Sequence, residues 1–244
     1  MGGMRTRSFT ISRPTMFSSP AITGADESTG GAHDGMRLIV MDIDSTLINE
    51  EVIDMLGAEA GIGNKVAAIT ERAMRGELDF RQALTERVGL LAGMDVSVFD
   101  RVYRRTSFTP GALDLVRTAH ARGWKVGVVS GGFHEVADRL VADAGIDYCL
   151  ANTLEVTDGR ITGRLIGDIV TKETKLAALR RWAGECGIDM AHTVAIGDGA
   201  NDIPMIQAAG VGIAFCAKPK TRAAAPHAID ERDLMRAFAI IDQA

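Results

Sequence analysis

Leu38-Ile39-Val40-Met41-Asp42-Ile43-Asp44 is four apolar residues running without a break into two carboxylates set two positions apart. A continuous apolar run of that length suits a strand covered on both faces, because neither face meets water. The polar residues after it then stand at the strand's carboxyl end, where ligands gather in open α/β sheets. Further along, Trp124-Lys125-Val126-Gly127-Val128-Val129, Thr193-Val194-Ala195-Ile196 and Val211-Gly212-Ile213-Ala214-Phe215 are short β-prone runs with helical patterns between them. The alternation predicts an α/β fold built on a doubly wound parallel sheet.

Working outward, Thr109 is expected to cap a helix that has Pro110 at its first position and Leu113, Val116 and Ala119 on its apolar face. A helix after Gly132 carries Val136, Leu140 and Val141, and another from Glu173 to Glu185 carries Leu176, Leu179 and Trp182. Between the first strand and Thr109 lie about 58 residues with helical periodicity and little strand character, far longer than an ordinary connection. Residues 51–108 therefore read as an inserted helical cap, with residues 36–50 and 109–244 as the α/β core. Its helices are predicted around Val52, Ile53 and Leu56, around Val66, Ile69 and Met74, and around Phe80, Leu84, Val88 and Leu91. In residues 149–169, loose alternation either side of Asp158-Gly159 predicts a small β-hairpin.

Composition narrows the partners. The chain has 244 residues, 46% of them apolar, and a net charge of −5. That balance gives no electrostatic footprint for nucleic acid or an anionic membrane. No apolar run approaches the roughly 20 residues that a bilayer span needs, so a cytoplasmic protein is expected. Cys149, Cys186 and Cys216 stand apart from one another, which suggests neither a disulfide framework nor a zinc site. Residues 1–35, rich in Ser, Thr, Gly and Pro, are expected to be a disordered tail; Arg5, Arg7 and Arg13 also allow a transit-peptide reading.

The chemistry is expected at the strand ends. Asp42 and Asp44 would project to one side, a few ångströms apart, and repel each other unless a divalent cation sits between them. An all-oxygen donor set with no His or Cys nearby favours Mg²⁺ over zinc. Taken alone, Asp-x-Asp is more often a solvated acidic turn than a metal site. Two further carboxylates, Asp198 and Asp202, follow another strand in Gly197-Asp198-Gly199-Ala200-Asn201-Asp202, while Ser130-Gly131-Gly132 ends a third and Lys175 opens a helix.

Asp42-Ile43-Asp44-Ser45-Thr46, Ser130, Lys175 and Gly197 to Asp202, in that order, resemble the four motifs of the haloacid dehalogenase superfamily of phosphotransferases over roughly residues 36 to 240. The resemblance implies a Rossmann-like core. It makes Asp42 the nucleophile that forms an aspartyl-phosphate, and Asp44 the general acid and then base. Mg²⁺ would be held by the Asp42 carboxylate, the Asp44 backbone carbonyl and Asp198, with Asp202 assisting through water or by orienting Lys175. Ser130, the Gly131 N–H and Lys175 would bind the phosphoryl oxygens.

Within that superfamily, Asp42 through Glu51, the cap segment Ala73 to Val88 and Val128 to Phe133 resemble phosphoserine phosphatases. That resemblance implies hydrolysis of a small phosphorylated amino acid, O-phospho-L-serine, to L-serine and phosphate, the final step of L-serine biosynthesis. Glu51 would meet its ammonium and Arg87 its carboxylate, with Met74 and Phe80 as an apolar lid. Read without it, Glu51, Arg81, Glu86 and Arg87 are an ordinary solvated helix face. Asn201 either contacts phosphate or substrate, or caps the following helix. The alternatives are a phosphatase or phosphotransferase acting on another small metabolite, and a non-catalytic phosphate-binding protein.

Overall fold

A computed structural model describes residues 35–244; the expected tail falls, but for Gly35, outside the described residues. β1 (Leu38–Met41) has every residue buried and lies between two parallel neighbours, as its unbroken apolar run requires. The chain then passes through α1 (Val52–Glu59), α2 (Gly63–Met74), α3 (Phe80–Gly89) and α4 (Ser97–Tyr103) before α5 (Ala112–Ala121) returns it to the sheet. β2 (Lys125–Phe133), α6 (His134–Ala144), β3 (Tyr148–Thr157) and β4 (Arg160–Ile166) follow. The last part comprises α7 (Lys172–Glu185), β5 (Thr193–Gly197), α8 (Ile203–Ala208), β6 (Val211–Phe215), α9 (Pro219–Ala224), β7 (His227–Ile229) and α10 (Arg236–Ile241).

The seven strands are ordered β4-β3-β2-β1-β5-β6-β7, and all pairs are parallel except β3 with β4. This is the doubly wound, Rossmann-like α/β arrangement. The chain leaves β1 toward β2 on one side and later returns to its other side with β5, so the strand order reverses at β1. A crevice opens beyond the strand ends at such a reversal. The Asp158-Gly159 hairpin is present as β3 and β4, with β3 doing double duty: its first residues pair with β2 and its last with β4.

Two apolar layers flank the sheet. On one side Leu38, Val40, Val129 and Ala195 pack under Leu179 and Trp182 of α7. On the other, Ile39, Met41, Val126 and Val128 pack with Leu115 and Val116 of α5 and Leu140 of α6. Each Val, Leu, Ile or Met side chain among them contributes about 1.5–3 kcal/mol on leaving water.

The helix around residue 112 departs from expectation. It begins at Ala112 behind Gly111, whose φ of 78° lies in the left-handed region, so Thr109 is not its cap and Pro110 is not its first residue. A side chain at Gly111 would run into Asp233. Leu115, not Leu113, faces the core. Beyond the three helices expected in residues 51–108 there is a fourth, α4, which buries Val98, Phe99 and Val102. Met74, expected on an apolar face, is 81% exposed.

The helical segment leaves and rejoins the sheet at one place. Ile48 and Phe108 form an antiparallel bridge, Asn49 N–H donates to Ser107 O at 3.0 Å, and the Glu50 carboxylate accepts from the Ser107 N–H at 3.0 Å and hydroxyl at 2.7 Å. Among the described residues no helix is long and apolar enough to cross a membrane.

Candidate active site

Four strand ends deliver residues to one cleft. Asp42 follows β1 directly, and its N–H still donates to Ile196 O of β5 at 3.0 Å, so the sheet itself holds this residue. The chain then makes a wide turn in which Ile48 N–H donates to Ile43 O at 3.0 Å and Ser45 takes a φ of 58°. Strand alternation stops here, which corrects the expectation that the Asp42 and Asp44 side chains flank one cation. Asp44 Oδ1 instead accepts from Val52 N–H at 2.9 Å, and Oδ2 from the Ser130 hydroxyl at 3.2 Å.

The carboxylates that do converge are Asp42, Asp198 and Asp202, each with an oxygen within 4.8 Å of the others. Lys175 lies among them, fully buried, its Nζ 2.8 Å from Asp42 Oδ1 and 2.6 Å from Asp202 Oδ1. It reaches that point from the first turn of α7, capped by the Thr171 side chain. Asp202 is spent on this structure: its other oxygen, Oδ2, accepts from Gly199 N–H at 2.9 Å and closes the loop after β5.

Burial drives the electrostatics. Desolvation, reinforced by Asp202 and Asp44 and opposed by Lys175, raises Asp42 well above the usual carboxylate range. Asp44 is pushed up to about 7, first by burial and then by Glu51, against the hydrogen bonds from Val52 and Ser130. Asp198 is raised by burial, partly offset by Lys218. Burial would lower Lys175, but Asp202 and Asp42 outweigh it and hold the ammonium protonated.

Buried carboxylates crowded together are what a divalent cation relieves, and their all-oxygen donors suit a hard one. Asp42 and Asp198 retain oxygens for it. Asp42 Oδ1 is taken by Lys175 and by Ile43 N–H at 2.8 Å, whereas no hydrogen bond to Oδ2 is found among the described residues.

A cleft of about 670 Å³ opens over this floor. Its lining includes Asp42, Asp44, Gly131, Asp198 and Asn201 from the α/β core and Glu51, Arg87, Met74 and Phe80 from the helical segment. Glu51 is oriented by the Ser45 hydroxyl at 2.7 Å. Arg87 donates through Nε to Ala83 O at 3.2 Å; burial lowers its pKa, against the pull of Asp54, Glu51 and Asp44. The solvated-face reading fits Glu86 instead, which pairs with Arg72 at 2.7 Å on the surface. Ser130 is 1% exposed and sits beneath the lining, its Oγ accepting from Gly132 N–H at 2.8 Å. A side chain at Gly132 would press on Asp44 Oδ2, 2.8 Å from where its Cβ would stand.

Two residues escaped the sequence reading. Lys218 follows β6, and its Nζ lies 3.5 Å from Asp198 Oδ2; the strand-end rule that found the others would have found it. Asn152 lies inside β3 and gave no signal in the sequence. A second group of ligand-type atoms, on His134, Asp138 and Cys149, is a hydrogen-bond network. His134 Nε2 accepts from Ala151 N–H at 3.1 Å, so the ring proton sits on Nδ1, 2.7 Å from Asp138. The imidazole has no lone pair left for a metal.

The haloacid dehalogenase-like hydrolase family model matches residues 39–207. A phosphoserine phosphatase of Streptococcus thermophilus is 60% identical over 206 residues, 84% of this chain and 96% of that protein. One from Lactococcus lactis is 51% identical over 84% of this chain and 95% of its own length. A solved structure described as a phospho-aspartyl intermediate analogue of phosphoserine phosphatase superposes with a TM-score of 0.80 at 40% identity, covering 84% of this chain and 98% of that one. A substrate-bound phosphoserine phosphatase complex matches with the same values.

Proposed function

This chain belongs to the haloacid dehalogenase-like hydrolase family, and we propose that it hydrolyses O-phospho-L-serine to L-serine and phosphate through a phosphorylated Asp42. One observation carries the reading: a single cleft is lined by Asp42 and Asp44 together with an acid and a base, Glu51 and Arg87. A phosphorylated amino acid needs all three at once, a phosphate cradle, an anion for its ammonium and a cation for its carboxylate.

The residues divide the work as follows. Asp42 attacks phosphorus as the bond from phosphorus to the seryl oxygen breaks, and Asp44, protonated, gives its proton to that oxygen. Its pKa of about 7 keeps the acid form available near neutrality. Asp44, now a carboxylate, takes a proton from water; the water oxygen attacks phosphorus and frees Asp42. Lys175, Ser130 and the Gly131 N–H hold the phosphoryl oxygens, and Asn201 borders the same space. Mg²⁺, held by the Asp42 carboxylate, the Asp44 carbonyl and Asp198, would supply charge neutralisation at the phosphoryl group. Asp202 supports the site by fixing Lys175.

We assign residues 36–50 and 109–244 to the chemistry and residues 51–108 to substrate choice, because Glu51 and Arg87 both fall in the second segment. The reading places the enzyme in the cytoplasm, in keeping with three free cysteines, acting on a small metabolite at the last step of L-serine formation. It is tested by Mg²⁺-dependent phosphate release from L-phosphoserine beside phosphothreonine, phosphoglycolate and an aryl phosphate, with Asp42→Asn as control. Preference for L-phosphoserine, abolished by the substitution, is the expected result. Release from the other esters alone would keep the mechanism and discard the substrate.

A further inference from the structure

Along β2 and β3, Val129 pairs with Leu150, but the next pair is Phe133 with Asn152. Four residues of β2 are spent against two of β3, so Ser130-Gly131-Gly132 bulges out of register. A bulge of this kind strands backbone groups that the ladder would otherwise satisfy.

The Asn152 side chain, 2% exposed, replaces the lost ladder. Its Nδ2 donates to Gly131 O at 2.8 Å, and its Oδ1 accepts from Val170 N–H at 2.8 Å. Gly132 N–H belongs to the same peptide as Gly131 O and donates to Ser130 Oγ at 2.8 Å. That peptide is therefore gripped at both ends. Val170 directly precedes Thr171, whose side chain caps α7, and α7 carries Lys175 in its first turn.

The geometry points to Asn152 as a positioning residue for phosphate recognition: one amide sets the spacing between the Ser130–Gly132 bulge and the base of the helix that carries Lys175. It rests on the reading of Ser130, Gly131 and Lys175 as the phosphate cradle. Asn152 itself is not part of the cleft lining. A carboxamide offers a donor and an acceptor on one short planar group at any pH. Ionised aspartate would set an acceptor against the Gly131 carbonyl, and alanine would leave both backbone groups without their partner.

The test uses the full chain with Mg²⁺, an aryl phosphate as substrate and inorganic phosphate as competing ligand. Asn152→Asp is expected to lower kcat at least tenfold and weaken inhibition by inorganic phosphate at least fivefold per folded molecule. Should that variant not accumulate folded, Asn152→Ala is expected to move both in the same direction, at least threefold. Thr193→Val serves as the control: it removes a buried hydrogen bond to Met190 O, 2.7 Å long, at the far end of β5. It should lower Tm and leave both values within twofold. Asn152 variants that lower Tm like the control, with kcat and phosphate inhibition within twofold of wild type, would overturn the assignment. The aryl ester needs neither Glu51 nor Arg87. A wild-type protein that cleaves it and ignores L-phosphoserine therefore sinks the substrate reading alone, and the Asn152 comparison still stands.

Discussion

Lys175 Nζ lies 2.8 Å from Asp42 Oδ1, the lysine side chain wholly buried and that of the aspartate 7% exposed. A second carboxylate, Asp202, shares the same ammonium. The cation thus holds the proposed nucleophile in place while offsetting two buried negative charges, and removing it strands both.

Lys175→Met is accordingly expected to cost about 3–5 kcal/mol of folding stability, the range for breaking a buried ion pair from one side. Denaturant unfolding in the presence of a chelator measures it. An unchanged midpoint would mean that Asp42 and Asp202 are neutral in the folded protein.

Asp44 predicts a pH effect on stability. Its carboxyl is raised from the ordinary 3.8 to about 7 on folding, so the folded protein holds a proton that the unfolded chain has released. Its contribution is fully present below about 4, falls as pH rises to about 7, and is constant above. The interval is worth roughly 4 kcal/mol. In metal-free protein, wild type should lose stability relative to Asp44→Asn across that window; parallel curves would contradict the burial argument.

Removing the divalent ion should lower Tm and adding it back should raise it with concentration, because the ion binds a site that exists only in the folded chain. The same addition should erase part of the Asp44 pH effect. Differential scanning calorimetry with Mg²⁺ and with chelator reads both, and Asp198→Asn should blunt the Mg²⁺ response.

Glu51→Gln keeps the shape of the side chain and removes its charge. Under the proposed substrate assignment, KM for L-phosphoserine rises about tenfold or more, the usual cost of losing one partner of a charge-assisted hydrogen bond. Turnover of an aryl phosphate, which has no ammonium, changes little. Equal losses on both esters would argue that Glu51 acts through Ser45 and the turn after Asp42, not on substrate.

Much of this was legible because burial on both faces leaves a plain signature. Leu38 to Met41 could hardly be anything but a central strand, and the acids after it had to stand at its end. What the side chains do next was not legible. The turn at Ser45 rotates Asp44 toward Ser130, and nothing in the residue types announces a positive φ there. Asn152 was invisible for a related reason: its value comes from a two-residue mismatch between strands, a property of the pairing and not of either segment. The helix α4 has only seven residues, too few repeats to establish a period, and Thr109-Pro110 has the residue types of a helix start although the left-handed Gly111 displaces that start to Ala112.

The bridge between Ile48 and Phe108, with Glu50 holding Ser107, makes the whole excursion from residue 49 to residue 107 a detour that begins and ends at one point of the sheet. Such a detour is modular in the genealogical sense. Its contents can be lengthened, shortened or exchanged between two break points that lie side by side, provided residues 93–96, which hydrogen-bond to the β3–β4 hairpin, keep their place. A lineage carrying this scaffold can therefore change what it recognises while inheriting how it reacts.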